Sequence, residues 1–345
     1  MGFRFQRRIK LFPGVTMNLS KSGTSLSMGQ RGAKVTLGKN GVRKTIGLPG
    51  TGLSYSTYEP YSKKSSVSSG AAISVPVKTD RQKLDLGFFS KMFLSQDENN
   101  FVEGLKLFLQ GDNTAALAAL KKSYHLADAA FTAGFLALNT GDYKEAESAF
   151  MAARQHNTDL GHLYRKYQLS LTLELRVSEF VSIEVNPCLY SLNLGLVEFY
   201  QAKHENANAI NLLMDLYKQN SNDIIMEISL AELVLAASSS DKAWLHTLAK
   251  ITANLDNETP LHSALLYYKG MVLYNLGMTD GAVDVLIDAM RRKADRSSEL
   301  LKAVRYRRGV IYQDTGRKAL ARGDFEKIYL EDPGYEDIGQ RLGNI

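Results

Sequence analysis

Glycine recurs every nine residues at the start of this chain, at Gly14, Gly23, Gly32, Gly41 and Gly50. These glycines head five near-copies of one unit: GVTMNLSKS, GTSLSMGQR, GAKVTLGKN, GVRKTIGLP and GTGLSYSTY. Nine residues hold one strand of about five residues and one tight turn. The period predicts a compact antiparallel meander, with a short solenoid as the alternative. Side chains alternate within each unit. Val15, Met17, Leu19, Leu26, Met28, Val35, Leu37, Val42 and Ile46 fall on one face, and Thr16, Asn18, Ser25, Ser27, Lys34, Thr36, Arg43 and Thr45 on the other. Asn40-Gly41 is the strongest turn signal, because both central residues of such a turn need positive φ. The apolar face needs a cover: the segment Phe3–Phe12, the rest of the chain, or a second copy.

Charge divides the chain in the same place. Residues 1–58 hold ten Lys and Arg and no acidic residue, which leaves 32 basic against 36 acidic residues from Glu59 onward. A flat polar face rich in hydroxyls and basic groups is suited to a phosphate or another anion. Arg31, Lys34, Lys39 and Arg43 are the anion-binding candidates. The bland alternative is a solvated face whose lysines block edge pairing. Base readout is disfavoured, since the aromatics Phe3, Phe5, Phe12, Tyr55 and Tyr58 do not sit centrally on the polar face. Nucleic-acid backbone or anionic lipid headgroups remain as ligands, or the acidic part of the chain itself. Phosphate-loop spacing is not met: five residues separate Gly32 from Gly38, and Asn40 stands where Ser or Thr is needed.

The opening MGFRF-x-RRIKL, with PG, NLSKSG and GLPGTGLSY after it, resembles a bacterial N-terminal family catalogued as a domain of unknown function (4236-like). That resemblance covers nearly all of residues 1–58 and implies no activity.

Residues 59–83 are rich in Ser, Lys and Pro and predict a flexible tether. Leu84–Leu94 is apolar again and predicts a docking segment or the first helical turn of the C-terminal body. A second repeat then begins. Small residues recur at Gly/+7/+12: Gly104, Gly111, Ala116; Gly134, Gly141, Ala146; Gly195, Ala202, Ala207; Gly270, Gly277, Ala282; Gly309, Gly316, Ala321. Two antiparallel helices approach closely where small residues meet, and the middle glycine suits a left-handed cap. This pattern resembles the tetratricopeptide repeat, most fully in AVRYRRGVIYQDTGRKALARGDFEKIYLEDP. The resemblance implies a curved array that binds peptide or protein through its concave, first-helix face. On that mapping the protein-binding candidates are Asn139, Tyr267, Tyr274, Asn275, Tyr306 and Gln313. The alternative role of the tyrosines is to fill gaps between repeats. Two departures interrupt the array. QLSLTLELRVSEFVSIEV alternates with period two and predicts an inserted β-hairpin at about 168–186. Asp223–Asn254 lacks the glycines and predicts a degenerate repeat.

No catalytic constellation is recognisable. The six histidines are scattered, and the single cysteine, Cys188, excludes both a thiolate metal cluster and an intrachain disulfide. The expectation is therefore a cytoplasmic, non-enzymatic adaptor without a cofactor or metal. Its fold class is α+β multidomain: an all-β meander of nine-residue repeats at 1–58, a Ser-rich linker and docking segment at 59–100, helical repeats at 101–335, and a tail at 336–345. A protein or peptide partner is the first expectation. Nucleic acid or anionic lipid on the basic module is the alternative, and self-association stands beside both.

Overall fold

In the computed structural model, side chains are described over residues 94–344, apart from 168–170, 172 and 222 and the side chains of 109 and 174. Residues 6–12, 15–20, 23–30, 33–38, 41–47 and 54–60 are described as backbone strands. The chain divides into two compact units. One holds Met1–Arg176 with Ile183–Lys203, the other Val177–Ser182 with His204–Ile345.

The first unit opens with strands β1 (Gln6–Phe12), β2 (Val15–Ser20), β3 (Gly23–Gln30), β4 (Ala33–Gly38), β5 (Gly41–Gly47) and β6 (Ser54–Pro60). Each pairs antiparallel with the next. Directly opposed residues share a face of a sheet. One cross-strand row runs Lys10, Thr16, Ser27, Thr36, Arg43, Tyr58. The neighbouring row on the other face runs Ile9, Met17, Leu26, Leu37, Val42, Glu59. Lys44 stands between Val35 and Thr57, in a row that also holds Val15 and Met28. Residues 6–12, within one of the three candidate covers, form strand β1 of the sheet. The linker residues 61–83 and most of Leu84–Leu94 lie outside the described residues.

The inserted hairpin predicted from the alternation is present, as β7 (Leu173–Arg176) and β8 (Ser182–Val185). β1 also pairs with β7, Ile9 opposite Leu173, giving the order β6-β5-β4-β3-β2-β1-β7-β8. Leu173 is 1% exposed, so the apolar row continues into a strand whose side chain is in the core.

The helices of this unit are α1 (Gln96–Gln110), α2 (Asn113–Lys121), α3 (Ala127–Thr140), α4 (Tyr143–Gln155), α5 (His162–Lys166) and α6 (Leu189–Ala202). Ser95 caps α1 by accepting the amide of Glu98, which fixes the start of the helical region at the end of the apolar stretch. The second unit holds α7 (Asn206–Gln219), α8 (Ile224–Ala237), α9 (Lys242–Ile251), α10 (Pro260–Asn275), α11 (Thr279–Arg291), α12 (Ser298–Asp314), α13 (Lys318–Glu331) and α14 (Ile338–Gly343). The stretch without signature glycines is the pair α8 and α9. Residues 338–343, expected as tail, form α14 with Ile338 buried.

The small-residue spacing has a more specific meaning than close approach of two small groups. In four repeats the first glycine lies beneath the side chain sixteen positions later: Gly104 under Leu120, Gly134 under Phe150, Gly270 under Leu286 and Gly309 under Phe325. All four overlying side chains are fully buried. Each such burial contributes about 1.5–3 kcal/mol of hydrophobic stabilisation. The third-position alanines Ala116, Ala146, Ala282 and Ala321 are also inaccessible. The middle glycine caps the first helix as expected: Gly141 and Gly277 have φ of +80°, and a Cβ on either would meet nothing within 4 Å. At these caps Asp142 N donates to Ala137 O and Met278 N to Leu273 O, the six-to-one bond of a left-handed helix end. Gly195 is different. Its nearest neighbours are Phe135 and Phe150, so it accommodates the preceding helix pair rather than a later helix.

Candidate protein-binding face

Five of the six protein-binding candidates lie on α10 and α12. Both helices begin with strong local signals. Thr259 accepts the amide of His262 ahead of Pro260 at the first turn of α10, and Ser297 accepts the amide of Leu300 at the start of α12. Tyr267 and Tyr306 are buried, while Tyr274, Asn275 and Gln313 are half-buried. Asn139, on α3, belongs to the first unit and is half-buried there.

The five side chains on α10 and α12 are already engaged within the protein. Tyr306 donates to Asp337 Oδ1 at 2.6 Å and receives Arg341 Nε at 3.2 Å, while Arg341 Nη1 donates to Gln313 Oε1 at 2.7 Å. The rings of Tyr306 and Tyr335 meet edge-on at 5.8 Å. The segment around α14 thus closes over the end of α12. Tyr274 donates to Asp314 Oδ2, and that bond raises its phenol pKa. Asn275 Nδ2 donates to Ser239 O at 3.3 Å. Tyr267 receives Arg307 Nε at 3.4 Å, and burial pushes its own pKa up. Arg307 in turn stands over the Tyr306 ring at 5.7 Å, a cation held against aromatic carbon.

A turn of the inserted hairpin completes this face. Residues Val177–Ser182 belong to the second unit, and the amide of Glu179 donates to Glu232 Oε1 on α8 at 2.7 Å. Phe180 meets Tyr267 edge-on at 5.1 Å and lies 6.3 Å from Tyr268. Sequence reasoning misses Glu232 and Phe180. The bond between Glu179 and Glu232 joins positions 53 apart, and no local pattern encodes it.

Of the anion-binding candidates, Lys34 is paired opposite Thr45 and Arg43 opposite Thr36 between β4 and β5. Arg31 and Lys39 lie outside the described residues. Among the described residues there is no cluster of His, Cys, Asp and Glu able to hold a metal ion. Cys188 is exposed at the start of α6, with its Sγ 3.6 Å from Ser191 Oγ. No described helix is long and apolar enough to cross a membrane.

Residues 3–56 match the family described as protein of unknown function, DUF4236. Beyond that segment the likeness is to helical-repeat structures. The N-terminal domain of EccA1 ATPase from the ESX-1 secretion system of Mycobacterium tuberculosis aligns over 74% of this chain and 90% of its own, at 15% identity and a TM-score of 0.51. A TPR repeats protein from Bacteroides fragilis aligns over 72% of this chain and 98% of its own, at 17% identity and a TM-score of 0.34. A TPR protein from Thermus thermophilus aligns over 72% and 97%, at 16% identity and a TM-score of 0.23. No functionally curated protein matches the sequence significantly. At these identities the likeness concerns the fold alone.

Proposed function

We propose that the chain is a non-enzymatic adaptor whose helical repeats hold a protein partner on the first-helix face of the second unit. The observation that carries this reading is the set of polar and aromatic groups that α8, α10 and α12 bring to one turn of backbone, with Glu232 bonded to it, Tyr267 packed on it and Arg307 bonded to Tyr267. Helical repeats expose such a row because each first helix stands beside the next. In the domain scheme that goes with it, residues 1–58 form a basic module, 59–100 a tether with a docking segment, and 101–335 the partner-binding body. A partner captured on the full chain from its host should be purified and titrated against Tyr274→Ala, Asn275→Ala and Gln313→Ala. Loss of about tenfold in affinity at one or more of these positions is expected for interface residues. Full affinity in all three variants would remove the face from the proposal.

A second reading concerns the basic module and rests on strand register. Arg8 and Lys10 on β1, Lys34 on β4 and Arg43 on β5 fall on one side, in rows otherwise made largely of Thr, Ser and Asn. Four to five basic groups acting on phosphates predict a slope of about −4 in log affinity against log salt for mixed-sequence duplex DNA. Charge reversal at Lys34 and Arg43 should weaken binding more than reversal at Lys44, which stands on the other side. Fluorescence anisotropy over a salt series measures both, and no binding at low salt ends this reading.

A further inference from the structure

A turn at the end of a β-hairpin ordinarily lies in water and interacts with little. The turn at Val177–Val181 does not. Ser178 is 3% exposed and Val181 6% exposed. The amides of Val177 and Ser178 both donate to Val181 O, at 3.0 and 3.2 Å, and Ser178 Oγ receives the amide of Phe180 at 3.3 Å. The turn is therefore closed on itself and presents the Phe180 ring and the Glu179 amide outward as a preformed shape. Both are taken up by helices. Glu232 of α8 accepts the amide at 2.7 Å, and Tyr267 of α10 meets the ring at an interplanar angle of 81°. Glu179 itself is exposed, and burial first, with a smaller contribution from the Glu179 charge, raises the phenols of Tyr267 and Tyr335.

Backbone capture by a side-chain acceptor, an edge-on aromatic anchor and a buried small residue are the three elements by which one protein recognises a loop of another. Here they hold a segment of the same chain. We propose that the turn Ser178-Glu179-Phe180-Val181 is a built-in ligand of this face, and that a partner protein binds by inserting a turn of the same chemistry, a serine and an acidic residue ahead of an aromatic one, in its place. This rests on the protein-binding reading above and specifies its partner. A tethered occupant acts at an effective concentration in the millimolar range, so it screens out weak competitors and lets only a better-matched or multivalent partner in.

The probe is a fluorescein-labelled synthetic peptide, RVSEFVSIE, corresponding to residues 176–184, with a scrambled peptide as control. Anisotropy titrations use the full chain as wild type, Phe180→Ala, and Phe180→Ala with Tyr267→Ala. Removing the anchor ring frees the face, so the peptide should bind Phe180→Ala at least about tenfold more tightly than wild type. The added Tyr267→Ala change should abolish that gain. Thermal melts confirm that each variant is folded. A measurement on wild type needs no variant: saturating peptide should speed amide hydrogen exchange at residues 177–181 of the chain. Equal peptide affinity for wild type and a folded Phe180→Ala chain overturns the proposal, as does binding that leaves exchange at 177–181 unchanged. Titration of the captured partner separates the two readings. If it binds Tyr267→Ala with full affinity, protein binding stands while the displacement of this turn does not.

Discussion

Gly309 lies directly beneath the ring of Phe325, so that a Cβ on the glycine would stand 2.5 Å from Phe325 Cε1. The ring is fully buried and cannot move aside without disturbing α12 against α13. Gly309→Ala should destabilise the protein by about 1–3 kcal/mol, and Ala321→Leu on the facing helix by a similar amount. Thermal or urea melts measure both. An unchanged midpoint in both variants would mean that the helices do not cross here.

Gly141 makes the opposite case. Space is free around it, but its φ is +80°. Gly141→Ala should cost about 1–2 kcal/mol through backbone strain alone. Gly141→Asn should cost less, since asparagine tolerates this conformation. Equal losses for Ala and Asn in denaturant melts would point to packing instead.

Arg308 grips Asp324 side-on, with Nε to Oδ2 at 2.8 Å and Nη2 to Oδ1 at 2.6 Å. Asp324 is 4% exposed, so the pair is shielded from solvent. Asp324→Ala strands the guanidinium and should cost about 3–5 kcal/mol. The double variant with Arg308→Met should recover part of that loss. A double-mutant cycle by urea denaturation reads the coupling, and additive losses would show that the pair contributes nothing.

Glu227 on α8 is 8% exposed, and burial first, then the nearby Asp223 carboxylate, raises its pKa to about 7. A raised carboxyl pKa means that the folded state resists ionisation. The penalty is absent below the ordinary value of 4.5, grows as pH rises from there, and is complete above about 7. Glu227→Gln should therefore leave stability unchanged near pH 4 and raise it by about 1–3 kcal/mol at pH 8. Urea melts of both proteins across this range test the sign, and a gain confined to acid pH contradicts it.

The helical repeats were legible in sequence because their signals are local. Gly134, Gly141 and Ala146 fall within thirteen residues of chain, and the left-handed cap at Gly141 arises from backbone sterics alone. The hairpin was legible for the same reason, since the alternation in SLTLEL and FVSIEV needs no distant partner to be seen. What the tertiary structure decided are contacts between segments far apart. Gly195 carries the repeat spacing yet serves Phe135 and Phe150 of an earlier helix pair. Tyr267 and Tyr306 stand at positions that predict a partner, and both are buried by other parts of the same chain. Glu232 accepts from Glu179 only because the hairpin turn reaches α8. Such pairings depend on which surfaces meet after the helices form, and hydrophobic burial, which drives that meeting, is non-directional and leaves no periodic mark in the chain.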